Sequence, residues 1–223
     1  MKKIAVIGSG FAGLTSAIEL ASLGYQVTVF EKNSTLGGRA RKFETNGFTF
    51  DMGPSWYWMP DVFDKFFARH GKKVENYYNL LKLDPGFSVV YGKDNTIDVP
   101  ASLEELVDLF EDIEKGSGSR LKKFLKKAAK KYNIGMDSLV YKPSHSIFEF
   151  FNLKVLIGVL YLDVFSNFRS YVKKYFSDSR LTRLMEIPCS FFGSYSAKYT
   201  STLFSYELLS LFSRNILSNG WIS

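Results

Sequence analysis

Uncharged and mostly β-branched residues (Ile4, Ala5, Val6, Ile7) open the chain, and Val27, Val29 and Phe30 mark a second apolar run over 26–30. Between them Leu14, Ala17, Ile18 and Ala21 recur at helical spacing. The pattern predicts a strand, a helix over 13–23 and a second, parallel strand. The absence of charge on the first strand predicts that both its faces are covered. Gly24 is expected to end the helix in a left-handed conformation. Phe48, Phe50 and Met52 alternate with Thr49 and Asp51, which predicts a further strand that Gly53 and Pro54 stop.

The pattern then turns helical. Ser102 and Glu105 form a capping box for a helix with Leu103, Leu106, Val107, Phe110 and Ile113 inward. Gly116, Ser117 and Gly118 break it. The next helix carries an apolar stripe of Leu121, Phe124, Leu125, Ala128, Ala129 and Tyr132. Arg120, Lys122, Lys123, Lys126, Lys127, Lys130 and Lys131 fill its remaining positions. Residues 148–176 are dense in phenylalanine, tyrosine and leucine and read as one or two helices with wide apolar faces.

The turn after the first strand reads Gly8, Ser9, Gly10, Phe11, Ala12, Gly13, the G-x-G-x-x-G spacing in its required strand-to-helix context. Gly8 allows the tight turn, Gly10 the approach of a pyrophosphate, and Gly13 close packing of helix on strand. The helix N-terminus presents unpaired N–H groups to an anion. Glu31 stands 18 residues after Gly13, near the usual spacing of about 20 for a carboxylate that accepts from ribose hydroxyls. Its charge disfavours a 2′-phosphate. Gly37 and Gly38 offer a second close approach of backbone, and Arg39 a planar, permanently charged donor for phosphate oxygens. The candidate cofactor contacts are therefore Gly8, Ser9, Gly10, Phe11, Ala12, Gly13, Glu31, Lys32, Gly38 and Arg39.

The second glycine pair and the run Asp51, Met52, Gly53, Pro54, Ser55, Trp56 and Tyr57 resemble the bacterial phytoene desaturase (carotenoid desaturase) family of the FAD-dependent amine oxidase superfamily. The resemblance extends, with gaps, to about Phe204. It implies an α/β fold: a Rossmann-like FAD-binding β-α-β unit, plus a mostly helical substrate or lid region. It implies FAD as cofactor, with Gly53, Pro54 and Ser55 near the flavin and Trp56, Tyr57 and Trp58 walling the cofactor or the substrate channel. It implies an apolar polyene substrate from which hydrogens are removed. Packing alone would also account for the aromatic residues.

Members of that family are longer, and their closing glycine-rich segment completes the flavin site. Nothing after Gly193 resembles it, so the expectation is a truncated chain with an incomplete sheet and exposed apolar surface beside it. The expected organisation is an FAD-binding segment over 1–100, a helical substrate- or membrane-facing region over 101–204, and an aberrant tail over 205–223. Three readings stand: a desaturase, a related isomerase, saturase or amine oxidase-like flavoenzyme, and a non-catalytic fragment with only the ADP-binding half. A nicotinamide-linked dehydrogenase does not need the second glycine clamp.

Composition adjusts this picture little. The chain has 223 residues, 46% hydrophobic, with 21 phenylalanines and a single cysteine, Cys189. One cysteine excludes an internal disulfide and fits a reducing, cytoplasmic setting. With His70 and His145 the only histidines, no metal site is expected. No signal peptide or membrane-spanning run is expected either. The net charge of +7 gathers on the lysine-rich helix. That helix could lie on an anionic inner membrane face, or its stripe could pack inside with the lysines in water. Nucleic acid is not expected, because no recognition module accompanies the charge. Asp51, Glu149 and Asp163 qualify as proton acceptors by residue type only, so no catalytic residue is named. Oligomeric state is not legible.

Overall fold

The computed structural model describes residues 1–53, 57, 59–136 and 167–190. Pro54, Ser55, Trp56, Trp58, His145, Glu149, Asp163 and the expected tail at 205–223 lie outside them. The chain forms two compact units, Met1–Tyr78 and Asn79–Ser223.

The first unit begins with strand β1 (Lys3–Ile7), helix α1 (Phe11–Ser22) and strand β2 (Gln26–Phe30). The strands pair in parallel, from Lys3 opposite Gln26 to Ile7 opposite Phe30. A Schellman motif closes α1: the Gly24 N–H bonds the Ala21 carbonyl at 2.9 Å, the Tyr25 N–H bonds that of Leu20 at 3.2 Å, and Gly24 has φ +84°.

The expectation of a strand covered on both faces fails. Ile4 and Val6 are half-buried, but Ala5 is exposed and Ile7 is 89% exposed. Helix α1 covers one face only, and no described strand pairs with the outer edge of β1. The exposed apolar surface expected beside an incomplete sheet is therefore present, with Phe30 57% exposed as well. The helix face also differs from expectation. Ala17 is buried and Leu14 half-buried, whereas Ile18 and Ala21 are exposed, because two strands are too narrow to cover the whole stripe.

An antiparallel hairpin follows, β3 (Lys42–Thr45) and β4 (Phe48–Asp51). Asn46 and Gly47 turn it with φ of +50° and +79°, as a two-residue primed turn requires. Helix α2 (Pro60–Arg69) returns to α1 through Arg69, 2.8 Å from Glu19, and through Phe63, whose ring meets Phe11 edge-on at 5.8 Å.

The second unit contains the antiparallel pair β5 (Phe87–Gly92) and β6 (Asn95–Val99), then α3 (Leu103–Ile113), α4 (Ser117–Gly135), α5 (Phe168–Val172) and α6 (Ser179–Ser190). Ser102 caps α3 as its sequence implies, its Oγ accepting from the Glu105 N–H at 3.1 Å. Every member of the α4 stripe, from Leu121 to Tyr132, is buried, together with Phe110, Phe168 and Phe176. The stripe is thus internal, and the bilayer reading of this helix loses its apolar half. Lys122, Lys123, Lys126, Lys127 and Lys130 are exposed. Lys131 departs from expectation: it is buried, with its Nζ 4.4 Å from the ring centre of Tyr171.

Phe124→Ala should lower the stability of this unit by about 3–5 kcal/mol, whereas Lys126→Ala should change it by less than about 0.5 kcal/mol. Urea unfolding followed by circular dichroism would measure both. Equal effects would refute the burial of the stripe.

Candidate nucleotide-binding site

The site is built from three backbone segments in contact. Gly8 leaves β1 at φ +95°, and its N–H bonds the Phe30 carbonyl at 2.7 Å, so the turn continues the sheet. Gly13 sits directly over this turn: a Cβ built on it would lie 2.0 Å from the Gly8 carbonyl oxygen. A Cβ on Gly38 would come within 3.1 Å of the Gly10 Cα, and the Gly37 N–H bonds the Ser9 carbonyl at 3.1 Å. A Cβ on Gly53 would lie 1.9 Å from the Arg39 carbonyl oxygen. The glycine loop, the Gly37–Gly38 turn and the end of β4 are therefore layered backbone on backbone.

Gly10 differs from these. Its φ of −72° suits any residue, and nothing lies within 4 Å of the position its Cβ would take. No internal neighbour demands a glycine here, and the space over it is open. Gly10 is also the N-cap of α1, without a side-chain cap bond and with no acidic residue in the first turn. Phe11 and Ala12, both exposed, form that turn. Arg39 is exposed and bonds none of the described residues, and Lys32 is exposed beside Glu31. A polyanion fits this set: orphan N–H groups, a clear approach and an unpaired guanidinium.

Glu31 directly follows β2 and ties the site together. Its Oε2 accepts from the Ser9 N–H at 2.8 Å and the Ser9 hydroxyl at 2.7 Å. Its Oε1 accepts from the Asn33 N–H at 3.0 Å and the Asn33 Nδ2 at 2.8 Å. The Asn33 backbone N–H and the two Ser9 donors hold the Glu31 carboxyl down to about 2. Ser9 is fully buried. Asn33 was not legible as part of the site; an amide two residues beyond a candidate ribose acceptor was its only signal. It lines an open cavity of about 870 Å³ with Ser34, Thr35, Leu36, Arg41 and Met52. Arg41 sits at the edge, its Nε donating to the Met52 sulfur at 3.5 Å. Asp51 is exposed at the end of β4. Among the described residues no cluster of His, Cys, Asp and Glu is placed to hold a metal ion, and no helix is long and apolar enough to cross a membrane.

Residues 6–70 match the family described as NAD(P)-binding Rossmann-like domain, whose cofactor class is a dinucleotide. Carotenoid 3,4-desaturase of Haloarcula japonica is 36% identical over 203 residues, which cover 91% of this chain and 41% of the relative. The 4,4′-diapophytoene desaturase (4,4′-diaponeurosporene-forming) of Staphylococcus aureus is 35% identical over 191 residues, or 86% of this chain and 38% of the relative. The chain is a homologue of the N-terminal part of carotenoid desaturases. It spans about two-fifths of the length of these relatives. Among solved structures, an oxidoreductase from Methanosarcina mazei shares the fold, with TM-score 0.53 and 20% identity over 92% of this chain and 42% of that one.

Because the carboxyl of Glu31 is held below its ordinary 4.5 in the folded chain, its contribution to stability is complete above about 4.5. That contribution fades as pH falls towards about 2. Urea midpoints measured across that window should fall less steeply for Glu31→Gln than for the unaltered chain. Parallel curves would show that the carboxylate is not tied.

Proposed function

We propose that this chain supplies the ADP-binding part of a flavin site in an FAD-dependent oxidoreductase of carotenoid biosynthesis, which introduces double bonds into a long isoprenoid polyene. The observation that carries the nucleotide reading is the open Cβ position at Gly10 beside the uncapped N-terminus of α1. Gly8, Ser9, Gly10, Phe11, Ala12 and Gly13 cradle the pyrophosphate. Glu31, with Lys32 beside it, receives the adenosine ribose. The layering of Gly38 on Gly10 argues for FAD: it brings the turn that carries Arg39 against the phosphate loop, a second clamp a nicotinamide site does not need.

Gly53 packs on that same turn, and Gly53, Pro54 and Ser55 are the residues we assign to the flavin end. The segment 1–100 serves the cofactor, and the segment 101–204, helical over most of its described residues, serves the substrate. Homologues named carotenoid and diapophytoene desaturases support the polyene as substrate. A flavin held by these residues would supply the two-electron acceptor for the hydride equivalent lost from an allylic carbon, the accompanying proton leaving from the neighbouring carbon. The chain's own residues hold the pyrophosphate, fix the ribose and orient the cofactor.

Reconstitution tests the cofactor. The purified chain should take up FAD and quench its fluorescence. Arg39→Ala should weaken binding about tenfold or more, as expected for loss of a charge-assisted contact. A folded chain that FAD does not reconstitute would overturn the assignment. Coexpression with a phytoene-producing, otherwise carotenoid-free host tests the chemistry through the appearance of colour.

A further inference from the structure

We propose that Asn33 occupies the ribose position on Glu31 in the ligand-free chain, and that its side-chain amide must leave before a dinucleotide binds. The proposal deepens the reading above and rests on it. A carboxylate offers about four acceptor positions, and Ser9 and Asn33 fill two on each oxygen of Glu31. An incoming pair of ribose hydroxyls therefore finds no vacant acceptor and must displace a donor.

The four donors are not equally easy to displace. Ser9 is fully buried within the glycine loop, so releasing its amide or hydroxyl would strand a polar group away from water. The Asn33 N–H belongs to a backbone turn. The Asn33 side-chain amide is on an exposed residue that lines the open cavity, so it has room to swing away and water to receive it. It presents an N–H donor to the oxygen that a hydroxyl would otherwise reach, and so mimics the ligand. Asn33 is then a positioning residue that lowers cofactor affinity while keeping the Glu31 carboxylate oriented and paired when no ligand is present.

The sign of one substitution decides the matter. A residue that merely supports Glu31 weakens binding when removed, whereas a competitor strengthens it. Dissociation constants for FAD should be measured by calorimetry on the unaltered chain and on Asn33→Ala, alongside an ADP analogue lacking both ribose hydroxyls. Asn33→Ala should bind FAD about three- to tenfold tighter, the net worth of one ordinary hydrogen bond, because the displaced amide is exposed to water. The dideoxy analogue should gain nothing. Equal or weaker FAD binding by a folded Asn33→Ala chain overturns the proposal, as does an equal gain for the analogue.

A carbon-13 titration of the Glu31 carboxyl without ligand separates the two kinds of failure. A higher titration point in Asn33→Ala confirms the amide on Glu31. If neither chain then binds FAD, the nucleotide reading has failed and the competition falls with it. An unmoved titration point overturns the amide contact itself, whatever FAD does.

Discussion

The carbonyl oxygens of Gly8 and Arg39 lie where a Cβ on Gly13 or Gly53 would collide with them, at 2.0 and 1.9 Å. Nothing larger than hydrogen fits at either place, and this shared exclusion lets three distant segments stack as one layer. Helix α1 can sit against the first turn only because Gly13 is bare. The Gly37–Gly38 turn reaches Gly10 closely, at a left-handed φ of +59° where a Cβ on Gly38 would press on Gly10 at 3.1 Å, and β4 can end on Arg39 only because Gly53 is bare. Had any of these approaches been blocked, Arg39 would be carried away from the N-terminus of α1. The positive dipole end and the guanidinium would then no longer share a neighbourhood.

Glu31 is the polar counterpart of this stacking. Four donors converge on one carboxylate, two of them from the buried Ser9 in the turn after β1. The group thereby joins the ends of the two parallel strands, a few residues from where their own ladder stops. The carboxylate proposed to receive the ribose is thus already an internal tie in the ligand-free chain. Fold and site therefore draw on the same oxygens.

What could be read in advance followed rules that act over short range. The strand–turn–helix order over Gly8 to Gly13, the left-handed Gly24 and the Ser102 cap depend on neighbours within a few residues, and the structure has them. The buried stripe of α4 followed from periodicity, but periodicity could not say that Lys131 would leave the polar face for the ring of Tyr171. The hairpin β3–β4 was half read: its second strand alternates clearly, while the Asn46–Gly47 turn signal went unused. The burial of β1 was misjudged because strand composition reports what a complete sheet would need. Among the described residues, two strands and one helix supply it. The internal duty of Gly53 was invisible for another reason, since its partner is the backbone of Arg39, and a carbonyl carries no sequence signal.

Among the described residues of the first unit, only Ser9, Ala17 and Val74 are buried. So thin a core leaves little hydrophobic free energy to offset chain entropy, and two strands under one helix are marginal as a sheet. In such a unit the polar tie at Glu31 and the backbone layering carry an unusual share of the order. A ligand that binds the folded loop at a hundred times its dissociation constant adds about 2.7 kcal/mol to stability, a large fraction of what a small unit possesses. The energetics of this unit and its occupancy are thus one problem. On the proposed competition at Glu31, the donors that keep it paired without ligand also limit how tightly a ligand can hold it.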